Sequence, residues 1–339
     1  MYPASYYQLK EEQKVQCLLC PHRCILSPGQ YGKCNTRVNS DGALFTESYG
    51  ILSSISTDPI EKKPLYHFFP GRSILSIGSF GCNLKCDYCQ NCTISQVDPG
   101  IFSRHPVRDP EDIVNKALLH RDNIGLAYTY NEPTIYFEYM IKCAGLIKEH
   151  QLMNVMVTNG YINREPLEAL LPHMDAFNID LKSFREEFYH GRTSASLGPV
   201  LETITRVAGS DCHLELTFLI IPGYNDSESE WIDMVRWIED HCGPDTILHA
   251  SKYFPRFKLQ SSFTPTETIH QFLQVAKERL HYVYPGNIPQ SDYHTRCPGC
   301  NAVVIERGFY HTGISGLDPE GHCSQCDHKI QGVFKSTGS

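Results

Sequence analysis

The 339-residue chain has no apolar run approaching the ~20 residues that span a bilayer, and its start, Met1-Tyr2-Pro3-Ala4, lacks a charged segment followed by an apolar one. Neither a membrane span nor a secretory leader is expected, and the reading places the protein in the cytoplasm. There is no low-complexity linker and no tandem repeat beyond an alternation of strand and helix patterns. Basic residues are in deficit: Lys and Arg number 30 against 38 Asp and Glu, a net charge of −8. That balance argues against a non-specific hold on nucleic acid or anionic lipid, both of which recruit basic surfaces. Lys252, Arg256 and Lys258 form only a local basic spot.

Cysteine is plentiful, with 15 residues. Eleven fall into three groups at ligand spacing, which in a reducing compartment reads as metal binding rather than disulfides. The remaining Cys92, Cys143, Cys212 and Cys242 read as ordinary buried thiols. In the central group, Gly81-Cys82-Asn83-Leu84-Lys85-Cys86-Asp87-Tyr88-Cys89, three thiols share one tight loop. Thiolates are the soft ligands that iron-sulfur clusters select, and a cubane normally takes four. Three leave one iron without a protein ligand, and chemistry can occur at that corner. The alternative is a closed zinc tetrahedron completed by Cys92.

From about Ser73 to Tyr284, β-rich runs alternate with helical patterns, as in repeated strand-helix units. Strands are expected at Ile74 to Ser79, Gly125 to Tyr130, Asn154 to Thr158, Ala176 to Leu181, His213 to Ile221, Thr246 to Ala250 and Tyr282 to Tyr284. Helices are expected at Pro110 to His120, Thr134 to His150, Ser229 to Asp240 and Pro265 to Leu280, with Pro110 and Pro265 near first turns. Parallel strands with crossover helices bind ligands at their carboxyl ends. The cysteine loop, Asn131, Glu132, Thr158, Asn159, Asp180, Lys182 and His249 should therefore converge on one mouth.

The fold class expected is α/β: a parallel sheet, curled into a barrel or left open, over residues 41–290, a cysteine-rich head at 1–40 and a four-cysteine ribbon at 291–339. Cys297, Cys300, Cys323 and Cys326 form two C-x2-C pairs at ribbon spacing, which favours a closed four-thiolate zinc site. Cys17, Cys20, Cys24 and Cys34 could enclose zinc or a second four-iron cluster equally well by count, and His22 could substitute as a ligand. Either metal would stabilise a module with so small a core.

Around Cys82, Cys86 and Cys89 the chain resembles radical S-adenosylmethionine (SAM) enzymes, and more narrowly the glycyl-radical-enzyme activating enzymes, of which the pyruvate formate-lyase activator is one. Tyr128-Thr129-Tyr130-Asn131-Glu132-Pro133 occupies the place of a Gly-Gly-Glu-Pro segment. Thr158-Asn159-Gly160, Asp180-Leu181-Lys182 and Pro222-Gly223-Tyr224-Asn225-Asp226 take the places of the next three strand-end motifs. The head motif Cys17-Leu18-Leu19-Cys20-Pro21-His22-Arg23-Cys24 with Cys34, the segment His249 to Leu259, and Tyr284-Pro285-Gly286-Asn287 before the tail resemble the radical SAM member of the AmmeMemoRadiSam system. The resemblance covers nearly the whole chain.

It implies that the α/β fold is a partial (β/α)6-type barrel, with a [4Fe-4S] cluster on Cys82, Cys86 and Cys89 and SAM chelating its unique iron. Reductive cleavage would then yield a 5′-deoxyadenosyl radical that abstracts hydrogen from substrate. It further implies Tyr88 against the adenine, Asn131 and Glu132 near the methionine amino group, Lys182 beside Asp180 for the carboxylate, Thr158 and Asn159 in the third-strand motif, and His249 at the ribose. Tyr130 and Asn131 depart from the paired glycines of that pattern. An electron donor such as ferredoxin or flavodoxin is implied, with a protein glycine as one candidate target. The competing class is a scaffold in which all three cysteine groups hold structural zinc.

Overall fold

The computed structural model describes residues 1–288, 293–308 and 312–334. Its centre is an eight-stranded sheet. In chain order the strands are β1 (Ser54–Pro59), β2 (Ser73–Gly78), β3 (Asn123–Tyr128), β4 (Met153–Thr158), β5 (Ala176–Asp180), β6 (His213–Ile220), β7 (Ile247–Lys252) and β8 (Tyr282–Gly286). Strands β2 to β8 are parallel and lie side by side in sequence order, while β1 pairs antiparallel with β2 at the edge. The crossovers carry α1 (Pro110–Leu118), α2 (Phe137–Glu149), α3 (Arg164–Leu170), α4 (Gly198–Ala208), α5 (Glu228–Cys242) and α6 (Thr266–Lys277). Six strand-helix units make the expected partial barrel.

The strands form where near-continuous apolar runs can be buried on both faces, as in β2 and β3. Their helices turn an apolar stripe inward: Ile113, Val114 and Ala117 on α1, and Met140, Cys143, Ala144 and Ile147 on α2, are buried. Residues from the ends of successive strands, among them Thr129, Val157, Asp180, Thr217, Ser251 and Asn287, line one cavity. The sheet therefore curls.

Strand β1, with the sequence Ser-Ile-Ser-Thr-Asp-Pro and a largely exposed pattern, carries no apolar alternation and was not anticipated. Nor were α3 and α4, each of which has a proline in its first turns. Small sheets form the head, and the strand Ala43–Thr46 pairs with Arg37–Ser40, so the head's pairing runs past residue 40. The expected boundary at 290/291 lies outside the described residues.

The tail sheet packs on Ile247 and Tyr282, the first residues of β7 and β8, in a shared apolar cluster with Val304, Ile305 and Ile330. It thus sits at the strand amino ends, opposite the mouth. Arg307 is buried there, stacks 4.6 Å from the Tyr66 ring centre and donates to the Tyr66 carbonyl at 2.5 Å.

Candidate active site at the strand carboxyl ends

A cavity of about 370 Å3 opens at the carboxyl ends of the strands, within the usual range for small-molecule sites. Cys82, Cys86 and Cys89 line it together with Tyr88, Asn131, Glu132, Thr158, Asn159, Asp180 and Lys182. Cys92 starts a short helix, Cys92–Ser95, and is not among the lining residues. No three ligand atoms of the central cysteine group lie within 4.8 Å of one another, unlike those of the tail. A closed zinc tetrahedron does not describe this loop.

Each polar side chain is held by the strand end that carries it. The Glu132 carboxylate is 2% exposed and accepts from Thr134 N at 3.0 Å, Thr158 Oγ1 at 2.8 Å and Asn159 N at 2.8 Å. Burial raises its pKa against the lowering effect of those hydrogen bonds. A carboxylate has about four lone-pair sites, so one remains for a donor in the cavity. Asn131 is a staple: its Oδ1 accepts from Ser79 N and its Nδ2 donates to Gly81 O, both at 2.9 Å, tying the end of β2 to the cysteine loop. Tyr130 has φ of +69°, a left-handed backbone that costs an L-residue roughly 1–2 kcal/mol. The chain thus keeps a conformation natural to glycine while using tyrosine. Its hydroxyl donates to Asp58 at 2.7 Å, and Lys63 sits 4.7 Å from the ring centre.

Lys182 Nζ lies 3.0 Å from Asp180 Oδ2, both on one face of the end of β5. Burial opposes the lysine charge, but Asp180 and the neighbouring Cys86 sulfur outweigh it and hold Lys182 protonated, above the ordinary lysine range. Tyr88 is buried against Phe188, with its hydroxyl beside the Cys86 sulfur. Three soft ligands lining the cavity and no fourth cysteine among the lining fit a four-iron cluster with one open vertex.

His249 is placed differently from expectation. It does not line the cavity; its Nε2 donates to Glu215 Oε2 at 2.6 Å. Residues 217 and 249 are register partners on the interior face, but Thr217 and Ser251 reach the mouth while Glu215 and His249 occupy a layer nearer the strand starts. Glu215 also accepts from His213 Nε2 at 2.9 Å, Tyr66 N at 2.9 Å and His67 N at 2.7 Å. Burial alone would raise its pKa, yet the bonds from His213 and His249 hold the carboxyl well below the usual range. This buried hub was missed from sequence, although an acid between apolar residues in His213-Leu214-Glu215-Leu216 was its visible signal.

In the tail, Cys297 Sγ and Cys326 Sγ are 3.5 Å apart, Cys300 Sγ and Cys323 Sγ 3.6 Å, and all four lie within 4.8 Å of one another. Each C-x2-C pair is followed by a left-handed residue, Asn301 at φ +62° and Asp327 at φ +64°, which turns the backbone around the site. The four head cysteines line a second, small cavity beneath the cysteine loop.

A curled parallel sheet with three thiols and a part-buried lysine-aspartate pair at its carboxyl ends defines an iron-sulfur enzyme of the partial-barrel class. The Radical SAM superfamily model matches residues 76–238, and the chain belongs to this superfamily. Membership implies a [4Fe-4S] cluster and SAM. An uncharacterized protein of Methanocaldococcus jannaschii is 40% identical over 340 residues, 98% of this chain and 100% of that protein. The 4-hydroxyphenylacetate decarboxylase activating enzyme of Clostridioides difficile strain 630 is 24% identical over 120 residues, 35% of this chain and 38% of that enzyme. Against this activating enzyme the chain thus spans well under half the length. The structure of Streptococcus suis SuiB bound to precursor peptide SuiA superposes with a TM-score of 0.50 at 11% identity, over 68% of this chain and 52% of that one, a likeness of fold. Among the described residues no helix is long and apolar enough to cross a membrane.

Proposed function

We propose that this chain is the radical SAM oxidoreductase of an AmmeMemoRadiSam-type system, acting as activating enzymes do on a protein or peptide-like target. The observation carrying the proposal is the single cavity that gathers Cys82, Cys86 and Cys89 with Glu132, Asp180 and Lys182. When bound, the cluster and SAM supply a carbon-centred radical able to take a hydrogen atom from substrate. The protein's own task is positioning. Cys82, Cys86 and Cys89 hold the cluster, the free acceptor site of Glu132 meets the methionine ammonium, and Lys182 meets the methionine carboxylate. Tyr88, Asn131, Thr158 and Asn159 shape the walls. His249, fixed to Glu215, supports the barrel interior and has no ribose contact in this reading.

A macromolecular target is supported by the rim. Phe254, Phe257 and Phe263 are exposed, with Lys252 and Lys258 beside their rings. This loop is pinned to the cysteine loop by Lys258 N and Leu259 N, each donating to Asp87 O at 2.9 Å. An exposed aromatic and cationic rim suits a peptide segment better than a small polar metabolite. A ferredoxin or flavodoxin is the expected electron donor, the cytoplasm the expected compartment, and zinc the expected tail metal, its sulfur spacing matching a tetrahedron with ~2.3 Å bonds. Head, barrel and tail serve as cysteine module, catalytic unit and basal cap.

Anaerobic protein reconstituted with iron and sulfide, given SAM and dithionite, should produce 5′-deoxyadenosine. Cys86→Ala should not. Equal production by that variant would refute the assignment.

A further inference from the structure

We infer that Cys17, Cys20, Cys24 and Cys34 hold a second [4Fe-4S] cluster, which passes single electrons to the cluster on Cys82, Cys86 and Cys89. The relay rests on the function proposed above; the identity of the head group does not.

The tail supplies a ruler within the same molecule. Four thiolates around zinc at ~2.3 Å stand about 3.8 Å apart, and the tail pairs at 3.5 and 3.6 Å are close to that. In the head, no three of the ligand atoms of Cys17, Cys20, His22, Cys24 and Cys34 lie within 4.8 Å of one another. The four thiols instead line a common cavity. Four sulfurs each ~2.3 Å from a zinc centre leave no cavity between them. A wider cage of four cysteines is the arrangement a cubane requires.

The shell suits a cluster as well. Leu19 and Ile135 close the cavity with apolar surface. Thr36 Oγ1 donates to Cys34 Sγ at 3.1 Å, and the buried Arg37 guanidinium reaches within 3.9 Å of Cys17 Sγ. Hydrogen bonds to sulfur and exclusion of solvent are the means by which proteins set cluster potentials. His22 is not needed as a ligand, since its Nε2 is 2.8 Å from the Asn83 carbonyl.

That contact also shows where the electron would go. Asn83 lines the head cavity, while its neighbour Cys82 lines the SAM-side cavity. Gly81 has φ +94°, and a Cβ on it would lie 2.7 Å from Cys34 O and 2.6 Å from Thr36 Cγ2. The backbone of one thiol cage therefore rests directly on that of the other, with glycine making the approach sterically possible. In the relay a reduced flavodoxin or ferredoxin gives one electron to the head cluster, taking it from the 2+ to the 1+ state. The head returns to 2+ as the SAM-side cluster passes from 2+ to 1+, and no bond or proton changes in the transfer.

The test counts metal and acid-labile sulfide in the full chain purified anaerobically. About eight irons, eight sulfides and one zinc are expected, with four irons and four sulfides surviving in a Cys82→Ala/Cys86→Ala/Cys89→Ala variant. Four irons, four sulfides and two zincs in the unsubstituted chain would overturn the head cluster while leaving the SAM-side reading intact. That count needs no variant to fold. For the relay, Cys17→Ser/Cys24→Ser protein retaining the four SAM-side irons should cleave SAM at near-normal rate with dithionite and at least tenfold slower with reduced flavodoxin. An equal rate with flavodoxin, or equal losses with both reductants, would overturn the relay.

Discussion

Replacing Glu132 by glutamine isolates charge from shape at the wall of the cavity. The native carboxylate takes three donors, Thr134 N and Thr158 Oγ1 on one oxygen and Asn159 N on the other. An amide has one acceptor oxygen, so its best orientation keeps the first two and turns its NH2 toward the Asn159 N–H. One buried donor is then orphaned at a cost of about 1–3 kcal/mol, and the two retained bonds weaken on losing the charge. A net destabilisation on the order of 3 kcal/mol follows, read as a lower urea midpoint at unchanged slope. The variant also loses the acceptor assigned to the SAM ammonium. A hydrogen bond to a charged group is worth about 1.5–3 kcal/mol, so the SAM Kd measured by anaerobic titration of cluster-loaded protein should rise roughly 10- to 100-fold. Thr158→Val, which removes a donor but keeps the carboxylate, should change Kd far less. Glu132→Gln protein binding SAM within twofold of normal, with an unmoved midpoint, would refute the reasoning.

Lys182→Met should retain about four SAM-side irons while weakening SAM binding by about tenfold or more, since the part-buried cation between Asp180 and Cys86 disappears; iron analysis and titration on one sample separate the two effects. Gly81→Ala adds roughly 1–2 kcal/mol of backbone strain and ~1–3 kcal/mol of overpacking against Cys34 and Thr36, so its urea midpoint should fall sharply and its cluster bleach faster in air. Burial lowers the His67 pKa from 6.5 to about 3, with Nδ1 donating to Gln331 O and Nε2 accepting from the Tyr284 hydroxyl. The unfolded chain then binds the extra proton first, so stability is full above pH 6.5 and falls by up to about 1.4 kcal/mol per unit as pH drops toward 3; the depressed Glu215 adds to the loss at the acid end. Urea midpoints from pH 7 to 5 should show a shallower decline in His67→Gln. Cys300→Ser should cost the tail its proposed metal and loosen its packing on Ile247 and Tyr282, detected as faster amide exchange at the starts of β7 and β8 without loss of iron.

The barrel was legible because buried parallel strands are written as apolar runs, and the runs ending at Thr158 and Asp180 leave little choice of element. The site loop was legible because cysteine spacing and soft-ligand chemistry constrain each other. Alternation along a strand assigns His249 to the interior, but the layer it occupies depends on the stagger of β6 and β7, which composition does not record. Tyr130 was read as a departure from a glycine motif, and its backbone nevertheless has glycine's left-handed conformation, secured through Asp58 and Lys63 from outside the motif. The width of the head cage was equally hidden. Four cysteines count the same whatever they enclose, and only the distances among them separate one metal from four.

The central claim is an iron left without a protein ligand and completed by SAM. It is tested most directly by electron-nuclear double resonance on the reduced protein with SAM carrying 15N at the amino group and 17O at the carboxylate. Resolved couplings from both labels to the cluster, abolished in Cys86→Ala, are predicted. A cluster indifferent to both labels while SAM is bound would contradict the account.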